Sequence, residues 1–144
     1  MGDELVKYWL CITNEENWSV VKRRKIWGVP EKRGRRQIEA VKLGDYLAFY
    51  VTPKRVGGIF RVISEPFESN EKIFSWAEFG KEEMFPHRVK IEETIVAKSP
   101  MPIDELIGRL SFSKGRKRWT VILRRAMLEI TKGDFELLSL LISG

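Results

Sequence analysis

The chain has 144 residues, 43% of them hydrophobic and 32% charged, with a formal net charge of +6, which suits one globular domain spanning residues 1–144 with a substantial core. No apolar run nears the roughly 20 residues of a membrane span, and the N-terminus lacks the basic, apolar and small-residue succession of a secretory leader, so a cytoplasmic protein is expected. A single cysteine, Cys11, excludes an internal disulfide, and with His87 the only histidine no Cys/His metal centre can be assembled; no metal or other cofactor is expected.

Tyr8 to Thr13, an aromatic and β-branched run, predicts a first, central strand. A helix follows: Asn14 suits its N-cap, Glu15 and Glu16 its positive end, Trp18 and Val21 its apolar face, and Lys22 to Lys25 its negative end. It stops before Gly28 and Pro30, and the residues through Arg36 read as a basic loop. Leu43 to Asp45 turn the chain into Tyr46–Val51, whose unbroken apolar character suits a strand covered on both faces. Gly57 and Gly58 open a strand over Ile59–Ser64. Arg88–Ala97 begins with clean alternation, Val89 and Ile91 toward a core and Arg88 and Lys90 away from it. Between these two lies Glu65–Pro86, rich in acids and aromatics and too long for a linker. A short helix after Pro102 and a brief extended piece at Leu110–Phe112 come next. Thr131 with Asp134 resembles a capping box for a final helix carrying Phe135, Leu138 and Leu141. Five or six short strands interspersed with helices indicate an α+β fold on a small curved or closed sheet.

Charge is concentrated. Lys22 to Arg36 holds eight bases and one acid, and Lys114 to Arg125 holds six bases and no acid. One strongly basic face points to a polyanion, with nucleic acid ahead of an anionic membrane because no amphipathic helix joins a basic face to a clean apolar one. Catalytic machinery is not apparent: there is no phosphate-binding glycine loop, no HExxH, and only His87 to serve a Ser–His or Cys–His mechanism. The protein is therefore expected not to be an enzyme. Of five tryptophans, Trp9 and Trp18 belong to the core by position. Trp27 sits beside Gly28 among bases, the composition of a surface that stacks nucleobases while holding phosphates; it is read as an open pocket wall, with core filler as the alternative. Trp76 stands open between the same two readings.

The string YWLCITNEENWSVVKRRKIWGVP, followed in order by GDYLAFYV, GGIFRVISEPFES, FPHRVKI, RKRW and a last helix, resembles the EVE domain, a family of the PUA-like superfamily that is similar to the YTH domain. The likeness covers nearly the whole chain. It implies a PUA-like small β-barrel of five or six strands surrounded by helices, and a surface pocket for one modified nucleobase. In YTH domains an aromatic cage holds the methyl group of N6-methyladenine. The order of elements then implies Trp27 as the first cage wall, Trp76 as the second and Phe85 near the third, with Gly28 beside them and Asn14 or Asn17 reading the base edge. Gly28 stands where YTH domains carry serine, so a modified cytosine in DNA or another modified base in RNA stays as open as N6-methyladenine.

Energetics agree with such a reader. Extruding a base costs a few kcal/mol unless it is already single stranded, stacking returns about 1–3 kcal/mol, and one methyl adds only about 0.8 kcal/mol, so polar groups must supply further selectivity. Lys32, Arg33, Arg35, Arg36, Lys114, Arg116, Lys117 and Arg118 are expected to hold phosphates with a steep salt dependence. The partner expected is RNA or DNA carrying a modified base, flipped or single stranded. Two rivals stand beside this: a nucleic-acid-modifying enzyme using His87 or a carboxylate near Trp76, and an accessory subunit whose basic face docks on RNA or an acidic protein.

Overall fold

A computed structural model describes residues 6–74, 84–115 and 119–143, with the side chains of Trp119 and Ile122 set aside. Its elements run β1 (Tyr8–Thr13), α1 (Glu15–Arg24), β2 (Ile26–Val29), α2 (Glu31–Glu39), β3 (Tyr46–Val51), β4 (Arg55–Val62), β5 (Phe67–Glu68), β6 (His87–Pro102), β7 (Met127–Ile130) and α3 (Lys132–Ser143). The strands form one sheet in the order β2-β6-β4-β3-β1-β7, with β5 paired to β6. The fold is α+β on one small curved sheet, as expected. A bulge at Gly57 of β4, opposite Phe49 and Tyr50 of β3, and irregularities where β4 meets β6 bend the sheet into a half-barrel, and α2 packs against β2, β6 and β7, lying across the seam between the two sheet edges.

β1 pairs parallel to β3 in the register Tyr8 with Tyr46 to Thr13 with Val51, and both strands are apolar at nearly every position because each face meets a core. Trp9, Cys11, Leu47, Phe49 and Val51 join Trp18, Trp27, Ile38 and Phe60 under α1 and α2. Leu10, Ile12, Ala48 and Tyr50 join Ile103, Leu110, Leu138 and Ile142 on the opposite face. The conformation around Gly57 has a packing cause: a Cβ there would lie 2.6 Å from the Trp18 indole, so the strand lets α1 sit directly on its backbone.

Several expectations held. β1, α1 and β3 fall where the residues placed them, and the Asn14 carboxamide accepts the Asn17 backbone N–H at 2.8 Å. At α3 the Thr131 hydroxyl accepts the Asp134 N–H at 3.1 Å, while the Asp134 carboxylate takes Ser111 instead of reaching back.

Other expectations are corrected. The basic loop is not a loop: Ile26–Val29 is strand β2, paired with β6, and Glu31–Glu39 is helix α2. Arg35 bridges Glu31 and Glu39, each four residues away, at 3.2 and 2.6 Å, the i,i+4 support that a helix of sparse apolar content needs. β4 begins at Arg55 and β6 extends to Pro102, both longer than expected. Leu110–Phe112 is turn, and the last strand is Met127–Ile130. Arg88 does not point to solvent; it is 2% exposed.

Candidate nucleic-acid interface

β2 places Trp27 and Val29 on its inward face and Gly28 on the other. The Trp27 ring is 2% exposed, so the expectation of a wet tryptophan wall in an open loop is corrected. The cause is long-range: the indole packs edge-on against Phe49 at 5.3 Å and against Phe74 at 6.3 Å between centroids, neither ring being a chain neighbour. Phe74 in turn meets Phe85 at 5.6 Å. A Cβ on Gly28 would lie 2.9 Å from Phe74 Cε2 and 3.1 Å from Arg88 Cγ; the missing side chain is what lets these two groups settle on β2. The fold thus gathers Trp27, Gly28 and Phe85 around Phe74. Phe74 and Arg88 were not singled out from the sequence for this site, although Phe74 belongs to the aromatic-rich segment noted there.

Two of the three indoles of this core, Trp9 and Trp27, differ in how their N–H groups are met. Trp9 donates its N–H to Asp45 at 3.0 Å, a carboxylate that also accepts the backbone N–H groups of Lys7 and Lys42. Trp27 Nε1 is buried and has no hydrogen-bond partner among the described residues. Beside the cluster, Phe74, Phe85, Arg88 and Ile73 line a cavity of about 10 Å³, room for about one water.

Arg88 roofs this region. Its Nε donates to the Phe85 carbonyl at 2.9 Å and Nη2 to the Glu71 carbonyl, and the guanidinium lies 5.8 Å from the Phe74 centroid. Burial lowers its pKa, an effect the Glu71 charge opposes. Glu71 itself pairs with Arg24 of α1 at 2.8 Å, which holds its carboxyl below the ordinary carboxylate range.

The next residue toward the N-terminus, His87, is buried and bonds through Nε2 to Glu31 at 2.7 Å, with Glu68 at 3.8 Å from Nδ1. This contact fastens the start of β6 to the first turn of α2. The hydrogen bond from His87 is the main cause of a lowered Glu31 pKa, with the Arg35 charge adding to it.

Asn14 and Asn17 stand at the first turn of α1, where Glu15 pairs with Arg55. Asn14 is occupied in capping and Asn17 is buried. Neighbouring Trp18 meets Phe49 at 5.3 Å, the same ring that Trp27 touches. Trp76, Arg116, Lys117 and Arg118 lie outside the described residues. Lys114 is exposed on a turn. Lys32 and Arg36 are exposed on α2, Arg33 is half-buried with Nη1 donating to the Arg124 carbonyl at 3.3 Å, and Arg35 is committed to its two glutamates. Among the described residues no cluster of three or more His, Cys, Asp or Glu could hold a metal, and no helix is long and apolar enough to cross a membrane.

The profile of the EVE domain matches residues 7–141. A UPF0310 protein of Pyrococcus abyssi is 39% identical over 147 residues, covering 95% of this chain and 100% of the relative. Another from Pyrococcus horikoshii is 37% identical, covering 94% and 98%; a chain with one glutamine and three asparagines but 32% charged residues has the composition of thermophilic proteins, in keeping with such archaeal relatives. Among solved structures, a YTH domain-containing protein, Mmi1, in complex with RNA superposes with a TM-score of 0.65 at 16% identity, covering 95% of this chain and 81% of that one. A hypothetical protein from Leishmania major gives 0.68 at 15% identity, covering 96% and 95%. These low identities speak to the fold, which is YTH-like. With its profile matched across nearly the whole length and in the order of elements described above, the chain belongs to the EVE domain family.

Proposed function

We propose that this protein is a non-enzymatic nucleic-acid-binding module that takes a modified base, flipped or single stranded, into the aromatic cluster of Trp27, Phe74 and Phe85, with cations of α2 on the backbone. The observation that carries this reading is the Trp27 indole N–H, buried without an acceptor among the described residues. Leaving such a donor unpaired costs about 1–3 kcal/mol, and a flat heterocycle with an acceptor on its edge would remove that cost while stacking on the neighbouring rings. The RNA named with the Mmi1 YTH domain, which shares this fold, supports the same class of partner.

The cavity of about 10 Å³ is far too small for a base. Entry therefore requires Phe74, which touches both Trp27 and Phe85, to give up its place to the incoming ring. Trp76 remains part of the proposed cage, and Asn14 or Asn17 the proposed reader of the base edge. The preferred modification is left to a panel: oligonucleotides differing only in N6-methyladenine, 5-methylcytosine or the plain bases, titrated against the intact protein. Trp27→Phe, which keeps a ring in the core, is expected to reduce the preference for the modified base, because it deletes the unpaired donor. Equal affinity across the panel in the intact protein would overturn the proposal.

A further inference from the structure

α2 and the segment leading into β7 face each other across an open groove. Its wider part, about 830 Å³, lies between Lys32, Arg33 and Arg36 on the helix and Arg124 and Arg125 opposite. It runs on into a hollow of about 430 Å³ that shares Arg36, Gln37 and Arg125 and ends at Ala40, Leu128 and Glu129. The two walls are joined: Ala126 N–H donates to the Arg33 carbonyl at 3.4 Å, and Arg33 Nη1 to the Arg124 carbonyl.

α2 sorts its charges into rows. Glu31, Arg35 and Glu39 neutralise one another on one row, and Glu31 is further engaged by His87. Lys32 and Arg36 form the next row, four residues and so about 6 Å apart along the axis. With Arg124 and Arg125 across the groove, they are exposed and have no carboxylate within 4.0 Å among the described residues. Four unpaired cations facing each other from two walls repel, and such a cleft concentrates positive potential. The Glu31 end abuts His87, the residue before Arg88, so the groove begins beside the aromatic cluster.

We infer that this groove holds the sugar–phosphate backbone of a single strand leading away from the base site, with Arg36 and Arg125 as its anchors from opposite walls. A two-walled groove grips one strand from both sides, whereas a duplex would reach only its rim. The inference rests on the proposed base-binding function for its direction but not for its chemistry.

The test uses a plain, unmodified 12-nucleotide single strand, with affinity followed by fluorescence anisotropy across a range of salt. Each phosphate contact contributes about 0.7 to the slope of log K against log salt for single strands. Arg36→Gln with Arg125→Gln is expected to lower that slope by about 1.4. Lys98→Gln with Lys132→Gln, an equal change of net charge at exposed positions on β6 and α3, is expected to leave it within experimental error. Equal slopes for the two double variants would overturn the groove, as would a blunt duplex of the same length binding more tightly than the single strand, or polyglutamate competing as well as the oligonucleotide. The modified-base panel is scored separately. Loss of slope without any base preference would keep the groove and remove the base site, and the reverse pattern would remove the groove alone.

Discussion

Replacing Gly34 by alanine pits local propensity against packing, and the structure decides the sign. In an exposed helix the change would stabilise by about 1 kcal/mol. Here a Cβ at position 34 would lie 2.5 Å from Val29 Cβ and 2.9 and 3.0 Å from its two methyls. Carbon atoms rest at about 3.5–4.0 Å, so α2 must retreat from β2 by roughly 1 Å, loosening Ile38 and Val41 beneath it. Overpacking of this kind costs up to about 3 kcal/mol, which leaves a net loss of about 2 kcal/mol. For a domain of this size that lowers Tm by roughly 8 °C, readable by circular dichroism. Trimming Val29 to alanine should restore little, because the nearest atom is its Cβ and alanine keeps it. A Gly34→Ala protein melting at or above the parent would refute the close approach of α2 to β2.

Asn14→Ala should cost about 1 kcal/mol through loss of the α1 cap, whereas Asn14→Asp keeps an acceptor for the Asn17 N–H and should melt near the parent. If Asn14→Asp also keeps the modified-base preference, Asn14 is not the proposed reader of the base edge. Because the Glu31 carboxyl is held below its ordinary value by His87 and Arg35, its contribution to stability is complete above about pH 4.3 and fades as pH falls through its lower folded value. Glu31→Gln should therefore flatten the acid limb of the Tm–pH curve, and an unchanged limb would count against the pair. Burial raises the Cys11 thiol well above its ordinary pKa, so a thiol-specific reagent at neutral pH should label the protein only on unfolding; rapid stoichiometric labelling of the native state would contradict that burial.

What the residues announced directly was whatever had strong local chemistry. β1 and β3 are runs of β-branched and aromatic side chains too apolar to have a wet face, and α1 carries its cap, its acids and its bases in order. β2 and α2 were hidden by charge: between Lys22 and Arg36 the apolar positions are few, and a glycine in mid-segment argues against a helix until Val29 is seen beneath it. The i,i+4 row of Glu31, Arg35 and Glu39 was the available signal. Arg88 misled because alternation reports which face a side chain leaves from, not what later covers it; Phe74 and two backbone carbonyls do so. Trp27 misled for the same reason, since Phe49 and Phe74 reach it only through the fold. The resemblance to the EVE domain identified the order of elements, while the degree to which the aromatic cluster is closed required coordinates.

The half-barrel leaves two raw margins, β2 and β7, and a single nine-residue helix stretches between them like a stitch. Bare strand margins recruit strangers. Heat or substitution that lifts this stitch would uncover ladder groups before the sheet itself melts, so the molecule's first failure is self-association, and turbidity should rise ahead of any loss of strand signal. If the proposed strand lies along the stitch it would press it home, and the bound protein should then resist clumping longer than the free one.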